Sequence, residues 1–421
     1  MTPLHGIASR HDLPLPFELV LAGAAAVLLI TFWVVFFAWR EPRYEEGGGR
    51  PLPRLTTLVN SRTFDVLSRG LVAALWLLAL VALVFGVDRI DNPVVGFVYV
   101  LVWVGLVVVG VLLGDVYRRT NPVRLLLLGR GTREADSLAG RWPGALALAL
   151  FLYLELVVPG GVTLPVLRVG AAVWLAWVIV GALVRADWVE RAEPFEVYST
   201  TVSHLSPWRK QGGVIHLVNP LRNLASWAPP RNSWAIAIVL LGGTAFDAMS
   251  NTAWWQRMIQ VSSTPDWAYG TVGLAGMIVL VGMFYAFGAR FLDDGSGLFG
   301  TMDRLSPGLV PLVVGYCFAH YGTYLYLEGQ RTLIRFNDPL GTGQNWFGFG
   351  ETAPDVSLLA FPTAVAWAQV ILIVGGHVLG VLVTHDVALR KPAGRILTRQ
   401  LPLLLVMVGF TVGGLLLMFG S

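Results

Sequence analysis

Ten apolar stretches recur along this chain, each close to the roughly 20 helical residues needed to cross a hydrocarbon core. They cover 17–39, 67–87, 94–114, 144–160, 166–185, 233–250, 267–289, 305–327, 361–385 and 401–420. The fourth is short and is ended by Pro159, Gly160 and Gly161, while Pro229 and Pro230 halt the loop before the sixth. Only 13% of the residues are charged, against about 25% in an average chain. With 55% hydrophobic residues and a mean hydropathy of +0.65, an ordinary soluble globule is excluded. The expected fold is all-α, a polytopic transmembrane bundle of about ten spans, with residues 17–421 as one transmembrane domain behind a tail of residues 1–16. The lipid bilayer is the first partner. Sixteen Trp and 47 Gly suit that setting, since Trp favours membrane interfaces and Gly permits close helix contact.

The arginines and lysines set the orientation. Alternate connections carry six basic residues in 40–69, six in 115–142, six in 185–232, two in 290–304 and four in 390–399. The other six, Arg10, Arg89, Arg168, Arg257, Arg331 and Arg335, fall in the remaining connections. By the positive-inside rule the first set is cytoplasmic, so both termini and the loop 328–360 are expected to face outward. The formal charge of +4 reflects this loop bias rather than nucleic-acid binding. No apolar region precedes Phe17, so the tail does not read as a cleavable signal peptide. A single cysteine, Cys317, excludes an intramolecular disulfide and any CxxC motif.

Two echoes occur in the connections. Asn121-Pro122-Val123-Arg124 resembles Asn219-Pro220-Leu221-Arg222, and Leu205-Ser206-Pro207 resembles Leu305-Ser306-Pro307. Both patterns are expected to start helices at the interface, the Asn-Pro pairs opening short helices on the membrane surface; an old duplication is the other reading. The segment EPRYEEGGGRP reads as a flexible linker.

Polar residues concentrate in a few spans. Cys317, His320, Tyr321, Tyr324 and Glu328 recur at three- and four-residue spacing along one side of the eighth span. Asp247 and Asn251 lie one turn apart at the end of the sixth, Glu155 is near the end of the fourth, and His5, His11 and Asp12 precede the first. In the expected topology these groups converge on an external crevice. Its carboxylate and imidazole donors suit Zn²⁺ or another divalent transition metal, although no HExxH pattern is present. Plainer roles exist for each: Asp247 and Asn251 as helix-end hydrogen-bonding groups, Glu155 paired with Arg168, Cys317 as a packing residue. His377, between Gly376 and Gly380, is expected to bond across a close helix contact; His385 and Asp386 read as interfacial.

The segments HGIASRHDLPLP, LLGGTAFDAMSNTAWW, HYGTYLYLEGQRTLIRFNDPLGTGQNWFG, GGHVLGVLVTHDVAL and QLPLLLVMVGFTVGGLLL resemble a bacterial family of multispanning membrane proteins labelled fenitrothion hydrolase. The resemblance covers most of the chain. It implies hydrolysis of an organophosphorus triester to a phenol and a phosphorothioate diester by a membrane-bound enzyme, placed in the bacterial inner membrane. Relatives carry a signal sequence just before the HG pair, whereas only Met1-Thr2-Pro3-Leu4 precede His5 here. A mature N-terminus at His5 would offer an amine and an imidazole to a cupric ion.

Two functional classes follow. In a metal-assisted hydrolase, His320 and Asp247, with His5 and His11, would hold Zn or Cu; Tyr324, Arg331 and Glu328 would form the catalytic set, with Tyr324 or Arg331 steadying developing charge. In the other class the same groups bind a metal ion or small molecule without reacting, in a handling protein or a subunit of a membrane complex.

Overall fold

The computed structural model describes residues 12–44, 47–127, 140–390 and 396–419, and a helix stands at each of the ten expected positions. These are α1 (Phe17–Ala38), α2 (Arg62–Phe85), α3 (Pro93–Leu113), α4 (Trp142–Leu156), α5 (Leu164–Val184), α6 (Ser233–Ser250), α7 (Asp266–Ala289), α8 (Val310–Arg335), α9 (Pro362–Leu389) and α10 (Ile396–Phe419). Eight of them are long and apolar enough to cross a membrane. The other two are α4, which has 15 residues, and α8, which has 26 but carries the polar stripe. The chain is thus an all-α membrane bundle with almost no strand.

Local chemistry sets the helix starts. Ser61 caps α2 by accepting from Phe64 N–H, and Asn92 caps α3 by accepting from Val94 N–H ahead of Pro93. Within α3, Phe97–Val102 is a wider π-helical turn, so its inward side chains are re-aimed relative to a straight α-helix. α8 runs to Arg335, about two turns beyond the expected end at 327, because Glu328 pairs with Arg331 and Arg335 on its own helix. The first part of the expected outward loop is therefore helix.

Contacts between connections reproduce the alternation of sides. Arg119 of one basic connection binds Asp65 of another at 2.8 Å, Arg118 binds Glu190 at 3.0 Å, Arg141 N–H donates to Arg231 O at 2.8 Å, and Asn232 N–H donates to Asp303 at 2.9 Å. At the opposite end Leu164 N–H donates to Asp88 at 2.9 Å and Val87 N–H to Leu340 O at 3.2 Å. Each pairing joins connections that the arginine count puts on one side, which requires α4 and α8 to cross as well.

On the basic side β1 (Arg50–Pro51), β2 (Trp208–Gln211) and β3 (Val214–Leu217) form an antiparallel sheet in the order β1-β3-β2, with Leu217 between Arg50 and Trp208. Gly212 and Gly213, both at positive φ, make the two-residue turn between β2 and β3. Part of the expected flexible linker is consequently a strand, because β3 offers it an open edge. The LSP echo also separates: Ser306–Leu309 is a 3-10 turn leading into α8, whereas Pro207 leads into β2. Asn121 and Asn219 do cap short helices, Pro122–Leu126 and Pro220–Ala225.

The tightest helix contact lies between α8 and α9. A Cβ on Gly376 would fall 2.5 Å from Pro311 O, and one on Gly380 would fall 2.6 Å from Gly308 O. Backbone therefore packs on backbone, as small residues allow in lipid. His377 does not bond across this contact. Its Nδ1–H donates at 2.8 Å to Ile373 O on its own helix, because the glycine spacing leaves no room between the helices for an imidazole.

Candidate functional site

The polar stripe of α8 meets the end of α6 inside the bundle. His320 Nε2 lies 3.0 Å from Asp247 Oδ2, and Tyr321 O–H donates to the same oxygen at 2.8 Å. Asn251, one turn on from Asp247, donates through Nδ2 to Asp247 O at 2.8 Å and to Oδ1 at 3.3 Å. Asp247 and His320 are each 3% exposed. A carboxylate only accepts, so Nε2–H of His320 is the donor of this bond. The aspartate thereby fixes both the tautomer and the orientation of the imidazole, while Tyr321 and Asn251 fix the aspartate. Tyr316, one turn before His320, lies parallel to the imidazole with ring centroids 6.0 Å apart, and Tyr321 meets it edge-on at 4.6 Å.

The remaining groups are arranged around this pair. Tyr324 is one turn further along α8, with the carboxyl groups of Glu155, Glu328 and Asp247 within electrostatic reach of its hydroxyl. Glu155 is likewise in electrostatic reach of Asp247 and Tyr321. Its expected partner is elsewhere. Arg168 donates through Nε to Leu83 O at 2.8 Å and through Nη2 to Val84 O at 3.2 Å, filling carbonyls that the end of α2 leaves without intrahelical donors. Glu155 Oε2 is buried with no hydrogen-bond partner among the described residues. An ionisable group inside a bilayer in that state suggests function by default.

Glu328 and Arg331 form a separate cluster. Glu328 Oε1 is 2.5 Å from Arg331 Nη1 and Oε2 is 3.5 Å from Arg335 Nη1. At about 1.5 Å per residue this ion pair sits roughly 12 Å along α8 from His320, towards the α8 C-terminus. The Arg331 side chain is 37% exposed there. Of the expected catalytic set, Tyr324 alone adjoins the Asp247–His320 pair. Instead of lining an open crevice, Asp247, His320 and Tyr321 are all buried.

His5 and His11 lie outside the described residues. Among the described residues no three His, Cys, Asp or Glu side chains form a group able to hold a metal ion. Asp247 and His320 supply two donors, and those donors are bonded to each other. The described residues alone do not complete a metal site.

Other sequence expectations find their places. Cys317 is buried in the apolar core beside Tyr198, a packing position. His385 and Asp386 stand at the basic-side end of α9 as expected, and both are buried, at 2% and 0% exposure. His385 contacts Gln400 Oε1 at 2.8 Å and Trp39 O at 2.9 Å; Asp386 accepts from the N–H groups of Arg43 and Tyr44 at 2.6 and 3.1 Å and from Arg390 at 3.1 Å. Together they tie α9 to the chain leaving α1.

A second buried polar cluster escaped the sequence reading. Asn121 Nδ2 donates to Glu193 at 3.3 Å and to Glu196 at 2.8 Å, and Arg124 grips both oxygens of Glu196. Trp174 Nε1–H donates to Glu193 at 3.1 Å. The Asn-Pro-x-Arg motif was legible; its partners, Glu193 and Glu196 three residues apart, were the unused signal. Arg124 thus points inward instead of lying on the membrane surface. No family model, no curated protein and no solved structure matches this chain.

Proposed function

We propose that this membrane protein hydrolyses uncharged organophosphorus triesters, with His320 as general base and Asp247 as the group that orients it. The observation that supports this reading is the buried His320–Asp247 hydrogen bond of 3.0 Å, held from behind by Tyr321 and Asn251. A fixed carboxylate–imidazole pair is the arrangement that keeps one ring nitrogen ready to take a proton and stabilises the imidazolium that results. In the proposed step His320 removes a proton from water as the water oxygen attacks phosphorus; the aryloxide leaves and receives that proton from the imidazolium. Tyr324 O–H serves as donor to the phosphoryl oxygen. The resemblance to the fenitrothion hydrolase family supplies the substrate class. Zn or Cu held by Asp247 and His320 together with His5 and His11 is the metal-assisted form of the proposal, and such an ion would make hydroxide near neutral pH. The reading in which the groups only bind, in a metal- or small-molecule-handling protein or a complex subunit, draws on their 3% exposure.

The test is His320→Ala, Asp247→Ala and the double variant, purified in mild detergent and assayed on a chromogenic phosphotriester with metal content measured in parallel. Each single variant should lose about 10²–10⁴ in rate, as removal of a general base does, at unchanged elution profile. The double variant should be scarcely worse, because the two groups act as a unit. Multiplicative losses, or active single variants, refute the shared site. An inactive wild type whose bound metal or ligand is lost in the variants selects the binding reading.

A further inference from the structure

A cavity of about 950 Å³ opens between α6, α7, α8, α9 and α10. Its rim is formed by lipid-facing side chains, Met283 at 58%, Leu405 at 63% and Leu416 at 43% exposure, while its floor is formed by buried Leu312, Tyr316 and His377. Among the described residues the lining contains no Asp, Glu, Lys or Arg, and Tyr316 and His377 are its only side chains with a hydrogen-bond donor. Such a volume, apolar with few polar groups, matches sites that enclose a small organic molecule. One wall is bare backbone: a Cβ on Gly409 or Gly413 would meet nothing within 4 Å. Tyr316 belongs both to this floor and to the stack on His320. Tyr316 therefore links the cavity floor to the Asp247–His320 pair.

We propose that this cavity binds an uncharged, lipid-soluble organic ester that enters sideways from the bilayer and lies against Tyr316. No charged group lines it among the described residues, so an ionic ligand would find nothing there to offset its desolvation, which favours a neutral one. A rim that faces lipid favours a molecule already dissolved in it. That the occupant is an ester, and the substrate, rests on the hydrolase reading; that it is neutral and lipid-soluble rests on the lining and rim.

The experiment uses the full chain in lipid nanodiscs, an apolar aryl diazirine as photolabel, and diethyl 4-nitrophenyl phosphate as competitor. Labelled residues are mapped by peptide mass spectrometry. Floor residues Tyr316 and His377 should be labelled in the wild type, and the neutral triester should suppress that labelling while leaving exposed Phe37 and Leu71 labelled. Gly413→Phe, which fills the cavity from a position with no steric conflict, should cut floor labelling about tenfold, a difference of about 1.4 kcal/mol in binding. His320→Ala should leave floor labelling intact, so failure of the hydrolase reading is seen separately. Absent floor labelling, or floor labelling that Gly413→Phe leaves unchanged, overturns the proposal. So does labelling insensitive to the triester with a co-purifying phospholipid that Gly413→Phe removes, since the cavity would then belong to an acyl chain.

Discussion

Adding one methyl group at Gly376 should loosen the α8–α9 contact that holds His320 in place. The new Cβ would stand 2.5 Å from Pro311 O and 3.3 Å from Gly315 Cα. Ordinary contact begins near 3.4 Å, so the helices must part by about 1 Å. A gap of that size forfeits a quarter to a half of the dispersion energy along the seam, and overpacking of this kind typically costs about 1–3 kcal/mol. Pro311 O lies in the first turn of α8 and cannot swing aside without disturbing that helix. Gly375→Ala is the control, because a Cβ there meets nothing within 4 Å and alanine improves helix propensity by up to about 1 kcal/mol. Thermal melting of detergent-extracted fusions, followed by fluorescence-detected size exclusion, should put Gly376→Ala clearly below both wild type and Gly375→Ala. His320 sits about 7.5 Å along α8 from Gly315, so the same shift should also strain the 3.0 Å bond to Asp247 and lower any phosphotriester turnover. Equal melting of the two alanine variants would refute the backbone-on-backbone account of this seam.

Glu193, in the connection between α5 and α6, is pushed up from 4.5 to about 8 by burial and then by the neighbouring Glu196. Between those values the folded chain holds a proton that the unfolded chain has released, so stability falls as pH rises through the window and levels off above it. At about 1.4 kcal/mol per unit the full effect is several kcal/mol; Glu193→Gln should flatten the melting-temperature profile from pH 5 to 8.5, and a slope equal to wild type refutes the assignment. Asp115, raised to about 6 by burial and then Glu196, adds a smaller fall of the same sign. For orientation, in a Cys317→Ala background, Thr342→Cys should react with an impermeant thiol reagent applied to intact cells, and Gln211→Cys should not. Both positions are exposed, and the reverse result inverts the expected topology.

Most of the architecture was readable because the bilayer imposes one length on every crossing and capping residues mark the starts, as Asn92-Pro93 and Ser61 do here. Spacing within one helix was equally readable: Asn251 does reach Asp247, and Glu328 does reach Arg331. What spacing leaves open is which helices are neighbours. Tyr321 looked like one residue of a stripe, and only the approach of α6 makes its hydroxyl a donor to Asp247. Arg168 and Glu155 look like partners across a tight turn until the end of α2, with its unsatisfied carbonyls, arrives beside the arginine. The cavity has no local signature at all, since its wall is defined by what Gly409 and Gly413 lack.

The same neighbourhood explains why the helix that bears the His320 stripe is among the least lipid-like. α3 and α6, with 61% and 67% of their spanning windows buried, shield α8, whereas α2 and α5, at 11% and 17%, meet lipid. A polar stripe is tolerated on α8 because other helices, not hydrocarbon, surround it. If the proposed hydrolysis holds, two directions of approach to His320 differ in chemistry. The lateral cavity is uncharged throughout and suits a neutral triester arriving from lipid. Beyond Tyr324 along α8 stand Glu328, Arg331 and Arg335. On the proposed chemistry the diester product is an anion, for which a return to lipid is costly and an arginine rim is favourable. Substrate and product would then travel by different paths, and Arg331→Ala with Arg335→Ala should slow release of product more than binding of substrate, lowering kcat and KM together while leaving kcat/KM nearly unchanged.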